Sequence, residues 1–289
     1  MLTLLVLGCR DSISIDELRI YAPTESYPED TYLSTVAEKR ALVIGAHGDD
    51  DVIMAGTIAK LKADGWIIKR IMFRSEEPGD VSRMATSKII HNGFEFIELG
   101  GKAYRNDMDT VQYPYMPIPK ERFDQVFERQ EIADELITKI NRFQPTVIFT
   151  LDHEMGGYGH PDHIFISQLV LDLCEEKAIQ PQKIYQGVYT DHMEEQIVEI
   201  RLTELVKKWG FPSPYMSAIS MYNLPEGMPG PDVEVNIHDQ AETKMAYIKS
   251  FNEEEQRTIG KFMPYYDAFD AQEYFRVFDR EFFRVIEIR

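Results

Sequence analysis

Short apolar runs alternate with stretches of helical period from residue 40 onward. Ala41-Leu42-Val43-Ile44-Gly45 is a continuous apolar run, the pattern of a strand buried on both faces, and Val52, Ile53, Ile58, Ala59 and Leu61 then recur at helical spacing up to Gly65. The sequence repeats this alternation. Trp66 to Phe73 reads as strand, the stretch around Val81 to His91 as helix, and Phe94 to Leu99 as strand. Residues 100 to 118 carry no period and hold tyrosines and prolines, which predicts a long surface loop over the strand ends. A helix is expected from about Lys120 to Asn141, a strand over Thr146 to Leu151, a loop through Gly159, a helix from Pro161 to about Glu176 and a strand from Lys183 to Tyr189. Beyond these come a helix near 201 to 208, a Pro/Gly-rich stretch from Phe211 to Pro231, a strand Asp232 to Ile237 and a helix from about Gln240 to Phe251. The aromatic, charged segment Phe269 to Ile288 reads as a strand or helix covering the sheet. Strands alternating with helices of this length imply parallel strands joined by right-handed crossovers. The predicted fold class is α/β, Rossmann-like, with a mostly parallel sheet flanked by helices.

The polar stretch from Ser12 to about Arg40, with Pro23, Pro28 and several acids, suits a linker or irregular arm, so the chain divides into an N-terminal segment over 1–39 and one domain over 40–289. Of the 289 residues 44% are hydrophobic, enough for a sizeable core. Lys and Arg total 31 against 49 Asp and Glu, a net charge of -18, which argues against nucleic acid and anionic membranes as partners. No run of about 18 apolar residues is present to span a bilayer. Two cysteines make no disulfide framework, and Cys174 lies in an apolar helical pattern as a buried thiol. Cys9 is different: Val6-Leu7-Gly8-Cys9 after an apolar start resembles the lipobox of bacterial lipoproteins, without the basic stretch that opens a secretory signal. The alternatives are a lipid anchor at Cys9, placing the protein in a bacterial cell envelope, or a short apolar strand in a cytoplasmic protein.

Two polar loops carry the candidate chemistry. Ala46-His47-Gly48-Asp49-Asp50-Asp51 sits where the first strand ends and its helix begins, and Gly156-Gly157-Tyr158-Gly159-His160-Pro161-Asp162-His163 follows the strand Thr146 to Leu151. In open α/β sheets that carboxyl edge binds ligands, and both loops lie on it. Catalytic zinc takes a few imidazole and carboxylate ligands and keeps one position open for water. His47, Asp50 and His163 supply such a set, with Asp50 three residues from His47 across the turn. Asp49, adjacent but not needed as a ligand, is placed to take a proton from the water such an ion activates, and His160 to face the substrate oxygen. The glycines around Tyr158 give its backbone freedom to swing over a ligand. Each loop alone also reads as a helix start, with aspartates as caps or with Pro161 at the first helical position. A dinucleotide site is excluded, because Gly45 and Gly48 do not make GxGxxG and three aspartates repel a pyrophosphate.

These loops resemble the AHPDDE and HPDH motifs of the LmbE/PIG-L family of zinc-dependent N-acetylglucosaminyl deacetylases. Gly156 to His163 is similar to the GGYGHPDH of the mycothiol-biosynthesis deacetylase and mycothiol-conjugate amidase branch, and motif order matches over roughly residues 40 to 255. The resemblance implies zinc, with iron as the alternative metal, on His47, Asp50 and His163. It implies Asp49 as general base, His160 as acid or oxyanion stabiliser, Tyr158 polarising the substrate carbonyl, Asp162 orienting His160 and Arg83 contacting sugar hydroxyls. The sequence also departs from the family. Gly48 stands for the motif's proline and Asp51 for its glutamate, and Thr86 stands where a glutamate usually follows the arginine. Lys244 and Ala246 match a C-terminal motif whose continuation here reads Ser250-Phe251-Asn252 through Gln256, so the far wall of the pocket is expected to differ.

The resulting expectation is a metal-dependent hydrolase that removes an acetyl group from an N-acetylglucosamine-type sugar or related amide, a small-molecule or glycan substrate. The alternatives are an amidase of a thiol or glycan conjugate on the same site, and a non-catalytic surface carbohydrate-binding protein. His91, His153, His192 and His238 read as surface or structural, with His153 near enough in sequence to line the pocket. Tyr104, Tyr113 and Tyr115 would stack on a sugar or simply pack.

Overall fold

Apolar runs covered on both faces place the strands in the middle of three layers. The structure, a computed structural model, describes residues 13–74, 88–98 and 115–289. Most of the helix expected near 81–91 and of the loop expected over 100–118 lies outside these residues, as do Cys9, Arg83, Thr86, Tyr104 and Tyr113. Seven strands are described: β1 Arg40–Gly45, β2 Ile67–Arg74, β3 Gly93–Glu98, β4 Val147–Leu151, β5 Lys183–Val188, β6 Val233–Asn236 and β7 Arg280–Glu287. They form one sheet in the order β3-β2-β1-β4-β5-β7-β6. The first five of these are parallel neighbours, and β7 runs antiparallel to both β5 and β6. The longer helices are α1 Ala55–Ala63, α2 Arg129–Phe143, α3 Pro161–Glu175, α4 Pro214–Tyr222, α5 Ala241–Lys249, α6 Glu253–Phe262 and α7 Ala271–Val277. Alternate strand residues feed two cores: Val43 and Phe149 pack with Ile58 and Tyr247, while Leu42, Ile44 and Ile148 pack with Leu136 and Leu169.

The strand order creates the site. From β1 the chain crosses to β2 on one side, and from β4 to β5 on the other, so the loops leaving these two adjacent strands diverge and open a crevice at their carboxyl ends. The loop after β1 continues into a tight 3-10 turn over Asp50–Met54 and then into α1. Glu281 of β7 fixes the first turn of α1 by accepting from the Gly56 and Thr57 N–H groups at 2.8 and 2.7 Å, and Lys244 Nζ answers its charge at 2.5 Å.

The structure departs from the sequence reading in four places. The helix expected from Lys120 to Asn141 is broken: Phe127 is extended (φ -100, ψ 142) before α2 starts at Arg129, and its ring stacks on Phe165 at 4.0 Å. Packing of two phenyl rings outweighs helical continuity there. Inside the Pro/Gly-rich stretch lies α4, which starts with Pro214 at its first position and a Ser213 side-chain cap on Met216 N. The helix expected near 201 to 208 begins at Asp191, and its Glu194–Leu202 part is π-helical, with Ile197, Val198 and Leu202 buried. The C-terminal segment joins the sheet as β7 rather than covering it, because its backbone satisfies the free edge of β5 while Phe282 and Phe283 fill the core.

The segment before β1 is irregular but packed. Leu18 and Leu33 are buried, Ser14 and Glu17 form a capping box, and Tyr185 donates to Asp30 at 2.8 Å. Cys174 is a buried free thiol whose pKa burial pushes up to about 12. No described helix is long and apolar enough to cross a membrane. Replacing Glu281 with alanine would leave the Lys244 ammonium and two helix N–H groups buried without their acceptor. The expected loss is about 3–5 kcal/mol of unfolding free energy, read by urea denaturation.

Candidate functional site

Each functional side chain is held by a group behind it. His47 follows Gly45 and Ala46 at the end of β1, and its backbone N–H donates to Asp50 Oδ2 at 2.8 Å, which closes the His47-to-Asp50 turn. The His47 ring presents Nε2 to the Asp162 carboxylate at 3.1 Å. A carboxylate only accepts, so Nε2 carries a proton, and Nδ1 is the nitrogen whose lone pair the neutral ring offers to an ion. His163 Nδ1 lies 2.8 Å from the Gly156 carbonyl, and by the same reasoning its Nε2 is the unprotonated nitrogen. These two lone-pair nitrogens, His47 Nδ1 and His163 Nε2, stand 2.9 Å apart. Asp50 Oδ1 completes a triangle at 3.5 Å from the first and 3.2 Å from the second.

Donors bound to a tetrahedral ion at about 2.0–2.1 Å lie roughly 3.4 Å from one another, so this triangle has the dimensions of three corners of a metal site. His160 also belongs to the cluster, since donor atoms of His47, His160 and His163 lie within 4.8 Å of one another. Its ring stacks on that of His163 with centroids 4.4 Å apart and planes at 14°. Its Nδ1 accepts from the Asp162 backbone N–H at 3.2 Å and so caps α3, leaving the proton on Nε2. A protonated nitrogen is a donor to an oxygen and no metal ligand. His160 therefore suits the substrate side better than the ion.

Burial alone would lower the pKa of His47, but the Asp50 and Asp162 carboxylates outweigh it and hold the imidazole well above its usual range. Burial would raise Asp50, yet His163 and His47 hold it well below. Asp49 is different. Burial, reinforced by the Asp50 charge, raises its carboxyl pKa, with His47 opposing.

The loop after β4 is shaped by Asp152, which is fully buried and accepts from Glu154 N, Met155 N and Gly157 N at 3.0, 2.6 and 2.8 Å. Two glycines are obligatory here. A Cβ on Gly156 would sit 2.8 Å from the Cβ of His163, and one on Gly159, whose φ is +93°, would sit 2.4 Å from the Cβ of Ala218 in α4. Tyr158 between them lies with its ring 4.9 Å from that of Phe262, and both His160 and His163 rings meet it edgewise at 5.7 Å.

A cavity of about 390 Å³ opens over the triangle. His47, Asp49, Asp50, Tyr158, His160 and His163 line it together, with Tyr115 and Tyr189 at its sides. The far wall is α6, which contributes Glu254, Glu255, Thr258, Lys261 and Phe262. The structure thus brings together the candidate residues of both loops, while Arg83 lies outside the described residues. Asp162 meets both histidines: its carboxylate pairs with His47 at 3.1 Å, while His160 Nδ1 takes its backbone N–H at 3.2 Å and lies 3.9 Å from its Oδ1. Helical register sets the second contact, since His160 is the cap of α3. His153 pairs with Gln186 and is not among the cavity's lining residues, and His91 is buried against Asp51. Asp152 and Arg70 were not singled out from sequence, and of α6 only the part up to Gln256 was, as a far wall expected to differ. Asp152 had a signal, an aspartate at a strand end two to five residues before a glycine-rich turn.

Residues 42–174 match the family described as PIG-L, GlcNAc-PI de-N-acetylase. The 1D-myo-inositol 2-acetamido-2-deoxy-alpha-D-glucopyranoside deacetylase of Actinosynnema mirum is 30% identical over 154 residues, which cover 46% of this chain and 53% of that protein. The chain thus spans about half the length of the curated relatives it matches. Among solved structures, a deacetylase of teicoplanin biosynthesis in complex with teicoplanin covers 86% of this chain and 98% of its own, with a TM-score of 0.51 at 12% identity. The 4-carboxy-2-hydroxymuconate hydratase GalB from Pseudomonas putida KT2440 covers 87% and 97%, with a TM-score of 0.50 at 14% identity. These two likenesses concern the fold, which hosts both a deacetylase and a hydratase, so the reaction is argued from the site. Over residues 42–174 the chain is thus similar to the PIG-L family domain and to deacetylases named for an N-acetylated sugar substrate.

Proposed function

We propose that this chain is a metal-dependent amide hydrolase that removes an acetyl group from an N-acetylglucosamine-type sugar or a related amide. The ion would be zinc, with Fe2+ accepted by the same donors, held by His47 Nδ1, Asp50 Oδ1 and His163 Nε2. The observation that carries this reading is the donor triangle with edges of 2.9, 3.2 and 3.5 Å opening on a cavity whose wall also bears Asp49, His160 and Tyr158. When bound, such an ion acidifies water and polarises a carbonyl.

The chain's own residues then divide the work. Asp49 lines the cavity beside the triangle, and its raised pKa suits a group that takes a proton from the attacking water and returns it to the departing amine. His160, protonated on Nε2, donates to the oxyanion that develops on the acyl carbonyl, and the Tyr158 hydroxyl serves the same oxygen from the glycine-rich loop. Asp162 and the Gly156 carbonyl keep His47 and His163 in the tautomers that the ion requires.

Zinc-loaded protein is expected to release acetate or amine from at least one member of a panel of N-acetyl sugars and N-acyl conjugates, and the member turned over separates a sugar deacetylase from a thiol-conjugate amidase. Asp49→Ala should keep stoichiometric metal while kcat falls about 10²–10⁴-fold, whereas His163→Ala should lose the metal. Unchanged turnover in Asp49→Ala would contradict the assignment. Metal affinity should also depend on pH. Because Asp50 and Asp162 hold the His47 imidazolium well above its usual pKa, the ion must displace a proton near neutrality, so apparent affinity rises with pH and protons are released on binding. Calorimetric titration in buffers of different ionisation enthalpy checks this, and an affinity that stays flat between about pH 6 and 8 would refute it.

A further inference from the structure

We infer that Arg70 is a positioning residue for the metal loop, holding the His47-Gly48 turn by its two carbonyls so that His47 Nδ1 meets Asp50 and His163. The inference rests on the metal-site reading above. Arg70 belongs to β2, opposite Val43 of β1, and is fully buried. Its Nη2 donates to the His47 carbonyl and to the Gly48 carbonyl, both at 2.9 Å. Its Nη1 reaches Tyr247 Oη at 3.2 Å and Asp51 Oδ1 at 3.3 Å. Tyr247 in turn donates to Asp51 at 2.9 Å, and His91 Nε2 stands 3.1 Å from the same carboxylate.

A buried guanidinium is unfavourable unless its donors are used and its charge is answered. Here the answering acid is Asp51, the residue directly after a proposed ligand, and Nη2 ends on the backbone of the residue that carries another, while Nε alone of the three nitrogens has no partner among the described residues. Arg70 therefore grips the loop from both ends, through His47 and Gly48 and through Asp51. An ammonium has the charge but lacks the fork that spans both carbonyls and the acid. The sequence of the loop gives this grip a purpose. Gly48 occupies the place of the motif's proline and would leave the turn free to move, and its carbonyl is one of the two that Arg70 takes. Gly48 is not among the residues with left-handed φ, and its N–H donates to no backbone carbonyl among the described residues, so a proline is compatible with what is described there. External clamping by Arg70 and internal stiffening by proline are two means to one geometry.

The test compares Co2+ binding by the full chain, wild type against Arg70→Lys, Gly48→Pro and the double variant, by chelator competition and by the visible spectrum of the bound ion. Arg70→Lys is expected to fold cooperatively, to bind Co2+ about 10–100-fold more weakly and to shift the visible bands. Adding Gly48→Pro to it should restore most of the affinity and the wild-type bands, which a merely structural role for Arg70 would not allow. Wild-type affinity and spectrum in Arg70→Lys, or a double variant no better than Arg70→Lys, would overturn the inference. Should Arg70→Lys fail to fold, Tyr247→Phe, which deletes one hydroxyl between Arg70 and Asp51, decides in the same way: weaker binding relieved by Gly48→Pro supports the role, and wild-type binding rejects it. A wild type that binds Co2+ yet hydrolyses no N-acyl substrate would defeat the reaction assignment alone, while one that binds no Co2+ would defeat both.

Discussion

Two imidazole nitrogens with their lone pairs facing each other at 2.9 Å, and a carboxylate oxygen beside both, make the constraint on which the site depends. Lone pairs at that distance repel unless a cation lies between them. In the protein alone a proton on His47 serves, since the Asp50 and Asp162 carboxylates hold it there against the burial that would remove it. A divalent ion answers the same need with more charge and with a preference for these donors. The triangle is stiff because each ring is fixed from behind, His47 by Asp162 and His163 by the Gly156 carbonyl. Arrangement from behind turns three side chains into a site of defined shape.

The rest of the architecture supplies the supports. Adjacent β1 and β4 deliver their loops to one crevice because their connections leave in opposite directions. Asp152 gathers three N–H groups to wind the glycine-rich loop, and the absence of a side chain on Gly159 lets α4 close on it. On the other side Glu281 reaches from the last strand to anchor the start of α1, directly behind the loop that carries His47 and Asp50. The C-terminal strand thus contributes to a site formed by the first half of the chain.

Much of this was legible in sequence because local patterns carried it. The apolar runs at 41–45, 147–151 and 183–188 are strands, and the two polar loops could be placed at one sheet edge before any coordinates. His47, Asp50 and His163, grouped in sequence by their types and spacing, do converge. What the sequence hid depends on contacts between distant segments. The stacking of Phe127 on Phe165 breaks a helix that its own period would continue, and the helix expected near 201 to 208 starts ten residues earlier through a π-helical part at 194–202. Asp162 meets His160, two residues away, through its backbone N–H, and its carboxylate also faces His47, 115 positions earlier, which no local pattern shows. No local pattern marks Arg70 either, because its significance lies in carbonyls of a different element.

Fold likeness to both a deacetylase and a hydratase concerns the architecture alone, so the site itself has to be tested. The most direct measurement is an anomalous difference map from a crystal of this protein grown with zinc. The account predicts one strong peak about 2.0–2.2 Å from His47 Nδ1, Asp50 Oδ1 and His163 Nε2, with His160 Nε2 beyond bonding distance and facing the cavity. A peak bonded to His160 in place of Asp50, or no peak between the two loops, would contradict it.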